Sequence, residues 1–384
     1  MLLMIAPLAA ITRGFAIRPQ IFTNLFLAIA IFVIDRLESG SNRRWFFIFP
    51  PLFLFWCNLH GGFTSGLCVF LLYAVVKLFT RQMTLYLALS VLFSVLVTLI
   101  NPYGVHLWRF LVSAISLKRP FITEWQMTEL SAQSWGYVLV SLITVLGLSF
   151  SKKRRNLFDV AILAIALTLA FRHNRHTVLF AILAGILMPK YFVSFSGEWF
   201  SRLEDKLSRA FLNSVLICYC VFFILGLASG LRVNPLRIEV DTKEFPVEAV
   251  RFLSDNGIKG NIFQWFNWGE MCIRELKSSN KVFIDGRYET VYNNKFIHLY
   301  FAVVEGQIDY NEVLTRVKRT DIMFLDVANG IIGRLSRDGS WILVYSSPAA
   351  VIFLKDNENN REALKKFRNK KLVYPKLPEL LYFE

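Results

Sequence analysis

Eight long apolar runs, at about 21–37, 45–59, 63–80, 84–101, 135–150, 157–171, 177–193 and 211–231, constrain this chain more than any other feature. Separated by short polar loops, they predict helices whose solvent is lipid rather than water. Several fall short of the roughly 20 residues of a full span, so those helices are expected to stand with little tilt or behind their neighbours. Composition agrees, since 55% of the 384 residues are hydrophobic and 36 are Phe. From about Arg232 the chain turns polar and the long runs stop. The expected fold class is a polytopic α-helical membrane protein of about eight spans, residues 1–231, followed by a small soluble α/β domain, residues 232–384.

A net charge of +15 would suit a nucleic-acid binder, but its distribution argues otherwise. Residues 1–231 hold 20 Lys+Arg against 8 Asp+Glu, and the remainder 23 against 20. Excess charge in membrane loops reports orientation first. Lys152-Lys153-Arg154-Arg155 is the strongest short basic loop and is expected to be cytoplasmic. Thirteen Lys+Arg, including Arg36, Lys77, Lys190, Arg202, Lys206 and Arg209, then fall on the inner side. Seven fall outside: Arg13, Arg18, Arg109, Lys118, Arg119, Arg172 and Arg175. No nucleic-acid partner is expected.

This orientation collects the unusual polar groups on the outer face. Arg172-His173-Asn174-Arg175-His176 is the densest cationic and titratable cluster, wedged between two apolar runs. Ionisable groups at such depth are costly, which makes them functional candidates. If the segment is helical, Arg172 and Arg175 share one face, and His173 and His176 another. Guanidinium groups match phosphate oxygens with paired donors, and imidazoles add a donor or carry a proton. Snorkelling cations that end two spans are the bland alternative.

Around this cluster, Asn58, His60, Asn101 and Trp125 are candidates to line a cavity. Glu124, beside Trp125, is the candidate acid/base, since partial burial raises a carboxyl pKa. Val105 to Val112 has the spacing of an amphipathic helix at the interface. Pro50-Pro51 predicts a kinked second span. Two histidines with no committed carboxylate fall short of a closed ligand set, so no metal site is assigned; the cofactor stays open, with a divalent metal ion the one candidate. The five cysteines, Cys57, Cys68, Cys218, Cys220 and Cys272, read as small buried hydrophobes.

The order Arg18-Pro19, Trp56 to Gly62, Asn101-Pro102-Tyr103-Gly104, Glu124-Trp125 and Arg172 to His176 resembles bacterial multi-pass proteins of the GT-C glycosyltransferase-like superfamily. Phe266 to Glu270 and Val282 to Arg287 are similar to the soluble domain that closes such chains. The resemblance implies sugar transfer from a polyprenyl-phosphate donor at the outer face of a bacterial plasma membrane. Its partners would be membrane lipid, the lipid-linked donor and an unidentified saccharide or protein acceptor. One departure stands out: the superfamily's usual carboxylate lies in the first outer loop, and here no acidic residue precedes Asp35. Residues 1–12 cover only about 18 Å at helical rise. They read as the tail of a helix begun upstream of Met1; otherwise the resemblance persists without its chemistry. A non-catalytic protein that binds a lipid-linked saccharide or a partner is the alternative.

In the soluble part, helical patterns at 245–256, 269–277, 294–304 and 310–318 interleave with strands at 261–264, 281–284, 322–325, 341–345 and 351–354. They predict a small, mostly parallel sheet with an antiparallel edge, and a solvated helix or tail at 357–371. Asp285 and Arg287 follow a strand, where such sheets present ligand contacts. No dinucleotide fingerprint or phosphate loop occurs.

Overall fold

The computed structural model describes residues 5–11, 18–115, 117, 119–131, 134–192, 194, 214, 221, 240, 242, 245–276, 280–316 and 319–375. The chain divides into two compact units, residues 1–221 and 222–384. Apart from residues 214 and 221, the eighth apolar run lies outside the described residues, as do Cys218, Cys220, Arg13, Lys118, Arg202, Lys206, Arg209 and the expected boundary at 231/232. Cys57 and Cys272 are buried, whereas Cys68 is exposed.

The first unit is helical: α1 Ile5–Ile11, α2 Gln20–Glu38, α3 Phe49–Leu59, α4 Phe63–Phe79, α5 Leu85–Val97, α6 Val105–Ile115, α7 Trp135–Phe150, α8 Leu157–Arg172 and α9 Thr177–Leu187. Helices thus occupy seven of the eight expected runs. Among the described residues, only α2 is long and apolar enough to cross a membrane by length and composition; the other apolar helices are shorter. The prolines explain one shortening. Pro50 and Pro51 begin α3 instead of kinking it, since neither has an N–H that a first turn would leave unpaired. The 3-10 turn Arg43–Ile48 supplies the approach.

Aromatic stacking fills the core of this unit. Phe49 and Phe70 stack at 3.9 Å and Phe53 lies parallel to Trp56 at 5.7 Å, pairs that contribute about 0.5–1.5 kcal/mol each beyond their buried area. Trp56 is fully buried and its ring lies against Gly66 of α4, where a β-carbon would overlap it.

At one end of the unit, charges close the bundle. Lys190, just beyond α9, bridges Asp35 of α2 at 2.9 Å and the buried Asp159 of α8 at 2.7 Å. Tyr191 donates to Asp159 at 2.6 Å. Glu38 of α2 pairs with Lys77 of α4 at 2.6 Å and accepts from Tyr73 and Asn156. Lys77 and Lys190, counted from the sequence among the expected inner cations, are therefore ion-pair partners within the unit. Asp159 also stands in the first turn of α8, where the helix dipole favours a carboxylate.

The second unit carries the expected α/β pattern. Strands β1 Gly260–Gln264, β2 Asn280–Val282, β3 Ile322–Asp326, β4 Trp341–Ser346 and β5 Ala350–Lys355 form one sheet in the order β2-β1-β3-β5-β4. β1 pairs in parallel with β2 and β3, while β5 is antiparallel to β3 and β4. The sheet is evenly mixed rather than mostly parallel, because β4 and β5 join as a hairpin. Helices α10 Val247–Asp255 and α11 Gly269–Leu276 add buried Phe252, Leu253 and Cys272 to its core. Helices α12 Asn294–Val304, α13 Tyr310–Arg316 and the short α14 Ile332–Leu335 connect the later strands.

The segment expected as a solvated helix or tail holds a largely exposed helix, and its first residues are anchored. Buried Asp321, at the start of β3, accepts from Asn357 at 2.9 Å and Asn359 at 3.1 Å, and its carbonyl accepts from Asn360. Helix α15, Arg361–Arg368, then buries Ala363 and Leu364.

Gly66→Ala is expected to lower the thermal midpoint of the full chain in detergent, at a cost of about 1–3 kcal/mol from overpacking against Trp56. Gly61→Ala, whose β-carbon would meet only Leu111 at an ordinary 3.6 Å, is expected to leave the midpoint unchanged.

Candidate functional site

The stretch 172–176 is not one helix. Helix α8 ends at Arg172, His173 turns extended at φ −142° and ψ 119°, and a 3-10 turn over Asn174–His176 leads into α9. The loop that follows the 3-10 turn Thr123–Trp125 holds this break open. Thr128 donates through its N–H to the Phe171 carbonyl at 3.1 Å and through its hydroxyl to Ala170 at 2.6 Å. Two carbonyls that a helix end leaves without partners are thereby satisfied. Asn174 N–H donates in turn to the Gln126 carbonyl at 3.0 Å.

Because the helix breaks, the expected arginine and histidine stripes do not form as helical pairs. Arg172 stays exposed on the last turn of α8. Arg175 lies over Trp125 instead, its guanidinium carbon 4.4 Å from the ring centroid, and Arg119 lies at the same distance. Such contacts contribute about 0.5–1 kcal/mol when exposed and about 2 when desolvated. The imidazoles of His173 and His176 pack edgewise on the same indole at 5.6 and 6.3 Å, and stand 5.8 Å from each other. His173 Nδ1 donates to the Trp125 carbonyl at 2.7 Å. Trp125 is thus the centre of the cluster, contacted by Arg119, Arg175, His173 and His176.

His60 belongs to the same neighbourhood. Its Nδ1 accepts the Gly62 N–H at 3.1 Å and meets the Thr23 hydroxyl at 2.6 Å, while Trp56 Nε1 donates to that hydroxyl at 3.0 Å. Burial, and after it the charge of Arg175, hold the His60 imidazole below its ordinary range. The same causes, with a smaller contribution from His173, bring His176 down to about 4. Both imidazoles are therefore neutral near pH 7.

Other expected members are occupied elsewhere. Glu124 is not a buried acid: its side chain is 42% exposed and pairs with Arg18 at 2.5 Å. The short turn that carries it leaves the carboxylate at the surface, within reach of the arginine preceding α2. Asn58 donates to the carbonyls of Leu54 and Ile100, both at 2.8 Å. Asn101 donates to Thr98 and accepts from Tyr103 N–H. Both asparagines close backbone turns. Arg18, Thr23 and Arg119 are members that the sequence does not assign to the site, although Arg18 and Arg119 stand among the expected outer cations and Arg18-Pro19 belongs to the resemblance.

Asp285 and Arg287 form a site of another kind in the second unit. Asp285 is fully buried and accepts from Arg287 N, Nε and Nη2 at 3.0, 2.8 and 2.7 Å and from Tyr292 at 2.7 Å. Burial works against its charge, but these donors outweigh it and hold the carboxyl below its ordinary range. With four donors the carboxylate is saturated, so Asp285 fixes the turn and positions Arg287. Among the described residues, no group of three or more His, Cys, Asp or Glu is placed to hold a metal ion.

Protonating His176 works against the fold, since its folded pKa of about 4 lies below the ordinary 6.5. Stability is expected to be full above about pH 6.5 and to fall as the pH drops from there toward 4. Thermal midpoints of the detergent-solubilised chain across that window measure this, and His176→Phe is expected to flatten the profile. No protein-family model matches the chain, and no curated protein matches its sequence.

Proposed function

We propose that this chain is a multi-pass membrane protein of the GT-C glycosyltransferase-like kind, transferring a sugar from a polyprenyl-phosphate donor at the extracytoplasmic face of a bacterial plasma membrane. The arginine and histidine cluster around Trp125 carries the reading. Two guanidinium groups on one indole, beside two neutral imidazoles, concentrate positive charge and N–H donors where a phosphate is best held. In this reading Arg119 and Arg175 hold the donor phosphate, Arg172 supports them from the exposed end of α8, and membrane lipid surrounds the bundle. In the same reading the second unit is extracytoplasmic, and the acceptor is a saccharide or protein.

Eight spans belong to the same proposal. Support comes from the apolar groups displayed along short helices, among them Phe79 at 81% exposure and Leu85 at 72%. Surfaces of this kind are costly in water and ordinary in lipid. Helices shorter than a full span would reach the interface through α6, whose spacing suits a position along it.

The ion pair of Glu124 with Arg18 favours a second reading, a non-catalytic protein that binds a lipid-linked saccharide. A carboxylate committed to a guanidinium is poorly placed to take a proton from an acceptor.

Binding to vesicles that contain farnesyl phosphate tests the phosphate site under both readings. Arg175→Ala is expected to weaken it about 10- to 100-fold, the equivalent of about 1.5–3 kcal/mol for a charge-assisted contact. Undiminished binding would remove the cluster from the function. Release of sugar from a glycosyl farnesyl phosphate by the wild-type protein, with an acceptor mixture, separates the transferase from the binder.

A further inference from the structure

Two histidines near Arg175, His60, which its charge reaches, and His173, which packs on the same indole, are held in opposite tautomers. At His60, Nδ1 accepts a backbone N–H from Gly62, so the ring proton of the neutral imidazole sits on Nε2. Thr23 donates to the same nitrogen while its oxygen accepts from Trp56, and the three contacts fix the ring. At His173 the partner is a carbonyl, that of Trp125, so Nδ1 carries the proton. In the neutral ring Nε2 then has the lone pair. Among the described residues, neither Nε2 has a hydrogen-bond partner.

We infer that this site recognises a glycosyl phosphate through a donor and an acceptor of fixed identity: His60 Nε2–H toward the phosphate, and His173 Nε2 toward a hydroxyl of the sugar. The inference rests on the phosphate reading of the Trp125 cluster and adds a polarity to it. Arginines alone would accept any accessible phosphate. A lone pair beside them rewards a ligand that presents an O–H next to its anion, and gives nothing to the bare prenyl phosphate left after transfer. Site and ligand class are thus matched by chemistry: donors for the charge, one acceptor for the sugar. The charged and titratable groups around His173 are Arg172 on α8, Glu124 beside Trp125, Arg119, and Arg175 and His176 on the 3-10 turn; of these, only His176 is another neutral imidazole near pH 7.

The substitutions follow from side-chain geometry. An Asn amide reaches the position of an imidazole Nδ1, and a Gln amide that of Nε2. His173→Asn keeps a donor for the Trp125 carbonyl and removes the acceptor. His60→Gln keeps a donor at Nε2, whereas His60→Ala removes it.

The full chain in detergent, at about pH 8 where ordinary imidazoles are neutral, is titrated with farnesyl phosphate and with glucosyl farnesyl phosphate. His173→Asn is expected to lower the preference for the glucosyl compound over farnesyl phosphate about tenfold. His60→Ala is expected to weaken both, and His60→Gln to restore them. A His173→Asn protein that loses neither, or both equally, overturns the acceptor role. A wild-type protein that binds neither probe overturns the phosphate reading itself, and this assignment with it. Nitrogen-15 spectra of the imidazoles give a readout independent of any variant's folding. Protonated Nε2 at His60 and protonated Nδ1 at His173 are expected, and the reverse at either residue overturns the inference.

Discussion

One hydrogen bond, from His173 Nδ1 to the Trp125 carbonyl, decides the character of the helical unit's polar end. A continuous helix through 172–176 would have carried Arg175 and His176 around its axis, away from their places on Trp125. The extended backbone at His173 prevents this, and Thr128 satisfies the carbonyls that the break exposes. The loop and the helix end hold each other: without Thr128 the carbonyls of Ala170 and Phe171 lack these partners, and without His173 the Trp125 carbonyl does. Cationic side chains then converge on the indole because it offers a negative face in a place with few carboxylates.

Much of the architecture was legible from apolar spacing. Helices fall on seven predicted runs, and the five strands of the second unit fall within a residue or two of their expected positions. The spacing signal is local, and the errors arise where a distant group intervenes. Asn357 to Asn360 read as the start of a solvated helix or tail because the group that gathers three of their side chains, Asp321 just before β3, is distant in sequence. Pro50 and Pro51 read as a kink, whereas a preceding 3-10 turn lets them begin a helix at little cost.

The candidate site was legible in membership and less so in arrangement. His173, Arg175, His176, Trp125 and His60 are all recognisable as unusual polar or aromatic groups near apolar runs. Sequence alone cannot say that the helix opens at His173, since the residues that open it, Gln126 and Thr128, are unremarkable in type and lie in a loop. Nor does it show that Glu124 meets Arg18, more than a hundred positions earlier. Asn58 and Asn101 illustrate the reverse case: polar side chains near a site, consumed by backbone groups of their own turns.

The charge network at the other end of the unit has a consequence for how the bundle assembles. Asp35 and Glu38 are made early in the chain, and Asp159 arrives much later, but the lysine that joins Asp35 to Asp159 is residue 190. Until α9 has been added, two carboxylates at that end stand without their cation, and in a lipid setting they would be held at the interface by their need for water. The join between α2 and α8 at this end is thus made by a residue that follows both helices in the chain.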